Sequence, residues 1–152
     1  MKKVLNFIAV IAVALCIVSC GDDNEEGGKA PFAGDYAGTI VMSVGESIMD
    51  PIDGIVTLTV DSDDKVTIVL PEAKMNPKMS IPSITLKNVQ YVKAADGSYN
   101  LKLDAFNIDV NGTNYVSKGL NGTVRGNVLT LNYDFQPGAM PMSINIEFKG
   151  NK

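Results

Sequence analysis

Alternation of apolar and polar residues, one by one, is the feature that most constrains the fold of this chain. In the segment PMSINIEFK at 141–149, Met, Ile, Ile and Phe alternate with Ser, Asn, Glu and Lys. The segments at 54–60, 65–70 and 127–135 repeat the pattern. Because successive side chains of a strand point to opposite faces, this period predicts antiparallel strands with one dry face.

Short turns separate these segments. Five dipeptides suit tight hairpins, namely Asp53-Gly54, Asp96-Gly97, Asn111-Gly112, Asn121-Gly122 and Gly126-Asn127. The connections between the predicted strands are therefore too short to contain crossover helices. The sequence therefore predicts an all-β fold, an antiparallel up-and-down barrel of about eight or nine strands, with a sandwich as the alternative.

Two segments change phase along their length. In 83–92 the apolar positions shift near Asn88, and in 98–110 they shift between Leu103 and Phe106, which suggests a bulge. The alternation also predicts which residues point into the barrel. These interior candidates are Val56, Leu58, Ile68, Leu86, Leu101, Leu103, Leu129, Leu131, Ile144 and Ile146.

The first nineteen residues have the pattern of a secretory signal. A basic start at Lys2 and Lys3 precedes an apolar run of about fifteen residues, 4–18, which is shorter than the roughly twenty that a membrane helix needs. The residues at the end of this run and just after it, Ile17-Val18-Ser19-Cys20-Gly21, resemble the lipobox of bacterial lipoproteins. That resemblance implies cleavage before Cys20 and a lipid on its thiol, which would anchor the chain to a membrane.

An acidic stretch, CGDDNEEGGKA, follows at 20–30 and contains no apolar residue before Ala30, so it is expected to be a flexible tether. It is similar to the acidic export signal of Bacteroidetes surface lipoproteins. The expected organisation is a signal peptide at 1–19, a tether at 20–30 and one barrel domain at 31–152. The expected location is the outer membrane, at its cell surface or its periplasmic face.

Composition excludes several functions. The chain has no histidine, which removes imidazole acid–base chemistry, zinc sites with histidine and nucleophile–histidine pairs. The chain after Cys20 carries eleven basic and seventeen acidic residues, so nucleic acid is not an expected partner. The carboxylates at 61–64 fit a polar turn better than a calcium loop. We expect a protein that is not an enzyme and has no cofactor.

Methionines are concentrated in two proline-rich stretches. Met75 and Met79 lie in PEAKMNPKMSIP, and Met140 and Met142 lie in PGAMPM. Such residues fill irregular gaps in cores, form adaptable apolar surfaces, or bind Cu(I) through their thioethers. Packing, a rim for a ligand or partner, and a copper site therefore remain as three interpretations.

One family resemblance covers most of 32–150. The opening FAGDYAGTIVMSV, the strand-rich middle and the closing INIEFKG are similar to the calycin-like barrel lipoproteins of Bacteroidetes. The resemblance implies that Tyr36 takes the place of the lipocalin tryptophan that plugs the closed end. The resemblance also implies an arginine on the last strand that packs across this ring, and the last predicted strand here contains none. Candidate ligand-binding residues are Tyr36, Met42, Met75, Met79, Leu103, Phe106, Met140 and Met142.

Two functions follow from this interpretation. The first is a lipid-anchored binding module that holds a small apolar ligand inside the barrel or at its mouth. The second is an accessory subunit of an outer-membrane complex, with a filled barrel and an exposed apolar patch around 75–82 and 137–141 that contacts an envelope protein.

Overall fold

The computed structural model describes residues 30–152, and every regular element in this range is a strand. The eleven strands follow one another with short connections. They are β1 (Gly34–Val44), β2 (Ser47–Ile48), β3 (Ile52–Ser62), β4 (Lys65–Leu70), β5 (Ala73–Asn76), β6 (Met79–Ile81), β7 (Ile84–Lys93), β8 (Tyr99–Val110), β9 (Thr113–Arg125), β10 (Val128–Pro137) and β11 (Ile144–Asn151).

Eight of these strands form a closed antiparallel barrel. The order is β1-β3-β4-β7-β8-β9-β10-β11, and β11 returns to pair with β1 from Ala37↔Asn151 to Val44↔Ile144. The short β2 lies beside the end of β1, and β5 and β6 form a separate two-stranded hairpin. The predicted up-and-down barrel is confirmed.

The barrel interior is filled with apolar side chains from all eight strands. Nine of the ten predicted interior residues are buried in one cluster, and Leu103 is half-buried. The alternation predicts the buried face correctly, since every second residue of β11 from Ile144 to Gly150 is buried. An eight-stranded barrel is just wide enough for such side chains to fill it.

The two ends of the barrel differ and are named here. The basal end is the end at which β1 begins, and it contains Phe32 and the turns Asp63-Asp64, Ala94–Ser98 and Gly126-Asn127. The apical end is the opposite one, where the hairpin β5–β6 and the connection between β10 and β11 lie. The described part of the chain begins, at Ala30, beside the basal end.

Three of the five predicted turns are confirmed, and two are wrong. Asn121-Gly122 lies inside β9 and Asp53-Gly54 lies inside β3. A Cβ on Gly122 would lie 2.5 Å from Cδ2 of Leu131, so this glycine permits close packing between strands instead of a turn. Both dipeptides have turn composition, and the pairing of neighbouring strands overrides it.

The proline-rich stretch PEAKMNPKMSIP contains the hairpin β5–β6. Ala73 pairs with Ile81, and both side chains are buried. The turn between them is held by Asn76, whose side-chain oxygen accepts a hydrogen bond from the backbone N–H of Lys78 at 2.9 Å. The strands of three and four residues are too short for alternation to reveal them.

Both predicted phase changes occur. Asn88 has a φ of 60°, and the pairing of β7 with β4 shifts by one residue beside it. In β8, burial changes phase between Leu103 and Phe106. The bulge suggested there is absent from the β8–β9 ladder, which keeps one register throughout. The extra residue belongs to β9, against β10, where Gly119 has a φ of 135°.

The predicted signal peptide at 1–19, the lipidated Cys20 and almost all of the tether at 20–30 lie outside the described residues. Within residues 30–152 there is no helix of the length and apolar character that a membrane crossing requires.

Candidate functional site

An apolar pocket of about 300 Å³ lies at the apical end, where the two methionine-rich stretches meet. The hairpin β5–β6 leaves the barrel between β4 and β7, and the connection between β10 and β11 lies on the opposite side of the eight-stranded ring. The hairpin therefore crosses the mouth of the barrel. The pocket between them is lined by Met75, Met79, Ser80, Ile81, Pro137, Ala139, Met140 and Ile144.

Short polar contacts fix the two walls of this pocket. On the hairpin side, the Ser83 hydroxyl donates to the carbonyl of Leu70 at 2.8 Å, which ties the end of β4 to the beginning of β7. On the other side, the Gln136 amide donates to the carbonyl of Met140 at 2.6 Å. The N–H of Gly138 donates to the carbonyl of Asn114 at 2.6 Å. The methionine side chains between these anchors are unbranched, and such side chains can adopt different shapes.

The chemistry of the pocket is apolar. Its lining consists of thioether, aliphatic and proline groups with one hydroxyl, and none of the lining side chains is ionisable. Such a surface offers dispersion contacts and desolvation to an uncharged molecule. Among residues 30–152, no group of three carboxylates or cysteines is arranged to hold a metal ion. A copper site made by the methionines stays a prediction.

The structure brings three of the predicted ligand-binding residues together, namely Met75, Met79 and Met140. Met142 lies at the same end but is 55% exposed and outside the pocket lining. Met42 is buried in the core, where β1 pairs with β11 opposite Ile146.

The three other candidates lie elsewhere. Leu103 and Phe106 are half-buried on β8, and both line a smaller cavity of about 160 Å³ between β7 and β8. Tyr36 is fully buried near the basal end, at the other end of the barrel from the methionines. A single ligand in the apical pocket therefore does not contact Tyr36.

Tyr36 closes the basal end together with Phe32. The Tyr36 hydroxyl donates to the carbonyl of Phe32 at 2.6 Å, and burial raises the pKa of this phenol. The ring of Phe32 packs against Tyr99 at 4.5 Å and Tyr91 at 4.9 Å between centroids. These contacts match the plug that the lipocalin resemblance implies for Tyr36.

Lys152 also stabilises the basal end through contacts that the sequence does not predict. Its Nζ donates to the carbonyls of Pro31, at 3.1 Å, and Ala33. Its aliphatic stem passes over Gly34, where an added Cβ would lie 2.8 Å from Cε. A basic side chain thus joins the end of the last strand to the beginning of the first. No local pattern signals this contact, because it joins residues about 120 positions apart.

Aromatic residues lie near the apical pocket. Phe135 contacts the rings of Phe106, Tyr115 and Tyr133 at centroid distances of 5.9, 5.8 and 5.4 Å. Phe135 pairs with Ile144, which lines the pocket, so this aromatic cluster adjoins it. Burial raises the pKa of both Tyr115 and Tyr133, so both phenols are neutral at physiological pH.

One buried carboxylate has a structural role. Asp134 lies at the bulge between β9 and β10, where its Oδ1 accepts the backbone N–H of Lys118 at 2.9 Å and the Ser117 hydroxyl at 3.2 Å. These bonds satisfy backbone that the bulge removes from the ladder.

The comparisons with known proteins agree with this architecture. The family model of the calycin-like beta-barrel domain matches residues 32–151. The fold is also similar to a crystal structure of a "putative outer membrane protein" from Bacteroides fragilis, with a TM-score of 0.68 and 26% identity over 80% of this chain. The match covers 51% of that protein, so this chain spans about half its length. None of the curated proteins compared with the sequence matches it. On the family match, this chain belongs to the calycin-like β-barrel family.

Proposed function

We propose that this protein is a lipid-anchored binding module of the cell envelope that holds a small apolar ligand at the apical mouth of its barrel. The observation that carries the proposal is the apolar pocket of about 300 Å³ formed by Met75, Met79 and Met140 with their aliphatic neighbours. This volume lies at the lower end of the range of about 300–1,000 Å³ for small-molecule sites. The calycin-like barrel is generally a binding fold and not a catalytic one.

The mouth is a better site than the interior. The core residues from all eight strands fill the barrel, and the basal end is closed by Phe32 and Tyr36. The methionines at the apical end are half-buried or exposed, and their thioether chains adapt to different shapes. A ligand can therefore bind under the hairpin without displacing the core.

The anchor and the pocket would lie at opposite ends of the domain. Residue 30 lies beside the basal end, so a lipid on Cys20 would hold this end towards the membrane. A tether of about eleven residues spans at most roughly 35–40 Å when fully extended. The basal end would then lie within this distance of the membrane surface. The similarity to an outer membrane protein supports an envelope location.

Native mass spectrometry tests the ligand. The mature chain with Cys20→Ser is expressed without the anchor, incubated with a lysate of its own organism, repurified and sprayed under gentle conditions. We expect a reproducible bound mass of a few hundred daltons. A clean mass of the unliganded chain would contradict ligand binding.

Two variants locate the bound molecule. Met75→Gln with Met140→Gln adds polar amides to the pocket and should abolish the bound mass, because an apolar ligand gains nothing from these groups. Val92→Gln is the matched control, since Val92 is 66% exposed on β7 and outside the pocket lining. Equal ligand retention in the pocket variant and the control would place the ligand elsewhere.

A second candidate is an accessory subunit that contacts an envelope protein through the apical end. It is favoured by three large apolar side chains exposed there, Ile48 at 75%, Met142 at 55% and Met79 at 37%. In this case the unliganded protein should crosslink to one partner in intact cells through a photoreactive group at position 142. The same group at position 92 serves as the control.

A further inference from the structure

The wall of the barrel is open between the apical halves of β7 and β8. On its β9 side, β8 is paired from Tyr99 to Val110. On its β7 side, pairing runs only from Tyr99↔Lys93 to Lys102↔Gln90. Within the part of the chain that the structure describes, the segment 103–110 of β8 has no strand partner on this side. We call the gap between 84–89 of β7 and 103–110 of β8 the seam.

The seam is built by the backbone of β7. Asn88 lies in the left-handed region with a φ of 60°. One extra residue of β7 faces β4 at this point, because Val66 pairs with Val89 while Ile68 pairs with Leu86. Such a bulge bends the strand, and the β7–β8 ladder ends two residues away, at Gln90. A cavity of about 160 Å³ lies there, between Asn88 and Gln90 on β7 and 102–106 on β8.

An unpaired strand edge presents a row of backbone N–H and carbonyl groups. In most proteins such an edge is covered or shortened, because it pairs readily with another chain. Here the eight residues 103–110 of β8 leave this edge unpaired, whereas the opposite edge of the same segment is paired with β9. Extended peptides bind sheet edges of this kind through main-chain hydrogen bonds.

We propose that the seam binds an extended segment of another protein, which adds to the edge of β8 as a strand. The segment alternates apolar and polar residues and carries a basic residue near Asp109. This inference does not depend on the apical ligand.

The side chains beside the seam define this chemistry. Phe106, Ile108 and Val110 are half-buried and pack against the core, so an added strand would place apolar side chains beside them on the same face. Asn107 and Asp109 are exposed on the other face. The amine of Lys102 lies 3.2 Å from the carboxylate of Asp104, whereas no basic side chain within residues 30–152 forms an ion pair with Asp109. A basic residue of the partner is therefore best placed near Asp109.

A second copy of this chain fits the seam less well. Residues 30–152 carry thirteen acidic and ten basic side chains, so two copies repel one another. Two β8 edges paired antiparallel about Phe106 and Asn107 would also place Asp104 opposite Asp109. Like charges directly opposite one another destabilise a strand pair.

The test uses NMR on the mature chain with Cys20→Ser. In the free protein, the amides of 103–110 that face the seam should exchange with solvent much faster than those that bond to β9. The probe is a capped ten-residue peptide of alternating valine and lysine. We expect saturable shifts at 84–89 and 103–110 and protection of the fast amides. The absence of saturable shifts at the seam up to about 1 mM peptide, a very weak affinity, would overturn the proposal.

Backbone methylation distinguishes strand addition from other binding. Two versions of the peptide carry N-methyl groups at the odd or at the even positions, which removes the donors of one edge each. One version should bind at least about tenfold more weakly, because each hydrogen bond contributes about 0.5–1.5 kcal/mol. Equal binding of both versions and the parent peptide would refute main-chain pairing.

Charge substitution tests the basic residue of the partner. Asp109→Asn should weaken the peptide about two- to fivefold at low salt, with a smaller effect at high salt. Asp50→Asn, an exposed carboxylate before β3, is the matched control. Equal affinities of the two variants would refute the basic partner. Shifts at the seam that grow with protein concentration in the absence of peptide would instead identify a second copy as the occupant.

Discussion

The basal end of the barrel is closed by rings that lie on the strands or directly before β1, whereas the apical end is covered by a hairpin inserted between two strands. At the basal end, Tyr36 and Lys152 make directed hydrogen bonds to the backbone of residues 31–33. At the apical end, Met75, Met79 and Met140 surround a pocket. Rigid packing and an adaptable opening therefore occupy opposite ends of one core.

The largest expected effect tests whether stability is concentrated at the basal end. Tyr36→Ala removes a fully buried ring and its hydrogen bond to Phe32, and it should lower the free energy of unfolding by about 3–5 kcal/mol. Met79→Ala, at the apical end, should cost less than about 1 kcal/mol, because this side chain is 37% exposed. Urea unfolding measures both values. Similar losses for the two variants would show that the ends do not differ in this way.

Alkaline pH should lower the stability of the protein through the ionisation of Tyr133, which lies in the apical half of the barrel. Burial raises the pKa of this phenol above its ordinary value of 10.0, so its stabilising contribution is complete below pH 10 and is lost as pH rises further. One such group changes the free energy of unfolding by at most about 1.4 kcal/mol per pH unit. Unfolding followed by circular dichroism should show a shallower loss above pH 10 for Tyr133→Phe than for the wild type. Parallel curves would contradict the assignment to Tyr133.

Lys152 should contribute less than Tyr36 to the free energy of unfolding. Lys152→Ala removes two hydrogen bonds to Pro31 and Ala33, and because the amine is exposed we expect a loss of about 1 kcal/mol. Lys149→Ala, an exposed residue of β11 three positions before Lys152, is the control and should be close to neutral. If the control loses as much stability as Lys152→Ala, the contact with 31–33 does not stabilise the closure.

The smallest effect concerns the methionines themselves. Under mild hydrogen peroxide, Met142 and Met79 should form sulfoxide first, Met75 and Met140 more slowly, and the buried Met42 last. An uncharged apolar dye such as N-phenyl-1-naphthylamine should protect Met75, Met79 and Met140 but not Met142, which lies outside the pocket lining. Peptide mass spectrometry gives the rates. Equal protection of Met142 would show that the dye covers the apical surface and does not enter the pocket.

The sequence predicted the barrel because alternation is a local property. Leu129 and Leu131 on β10, like Ile144 and Ile146 on β11, show their inward direction in the spacing alone. The sequence also predicts the phase change near Asn88, because the apolar positions shift by one residue there.

Features that depend on distant pairing could not be predicted. Gly122 looked like a turn residue because its role is to let Leu131 approach from the neighbouring strand. The meeting of Met75 with Met140 requires the hairpin to cross the mouth, which no spacing reveals. The seam likewise follows from a ladder that ends at Lys102, although the local sequence of β8 continues as a good strand.

The position of residue 30 has a mechanical consequence. Tension applied there, with the apical end held by a partner, pulls β1 along its own axis. β1 is paired antiparallel with β3 on one side and β11 on the other, so these two ladders are loaded in shear. Hydrogen bonds loaded in shear share the force and break together, whereas bonds at a peeled edge break one at a time. Force applied at residue 30 would therefore load the ladders on both sides of β1 together and would not peel them apart one bond at a time.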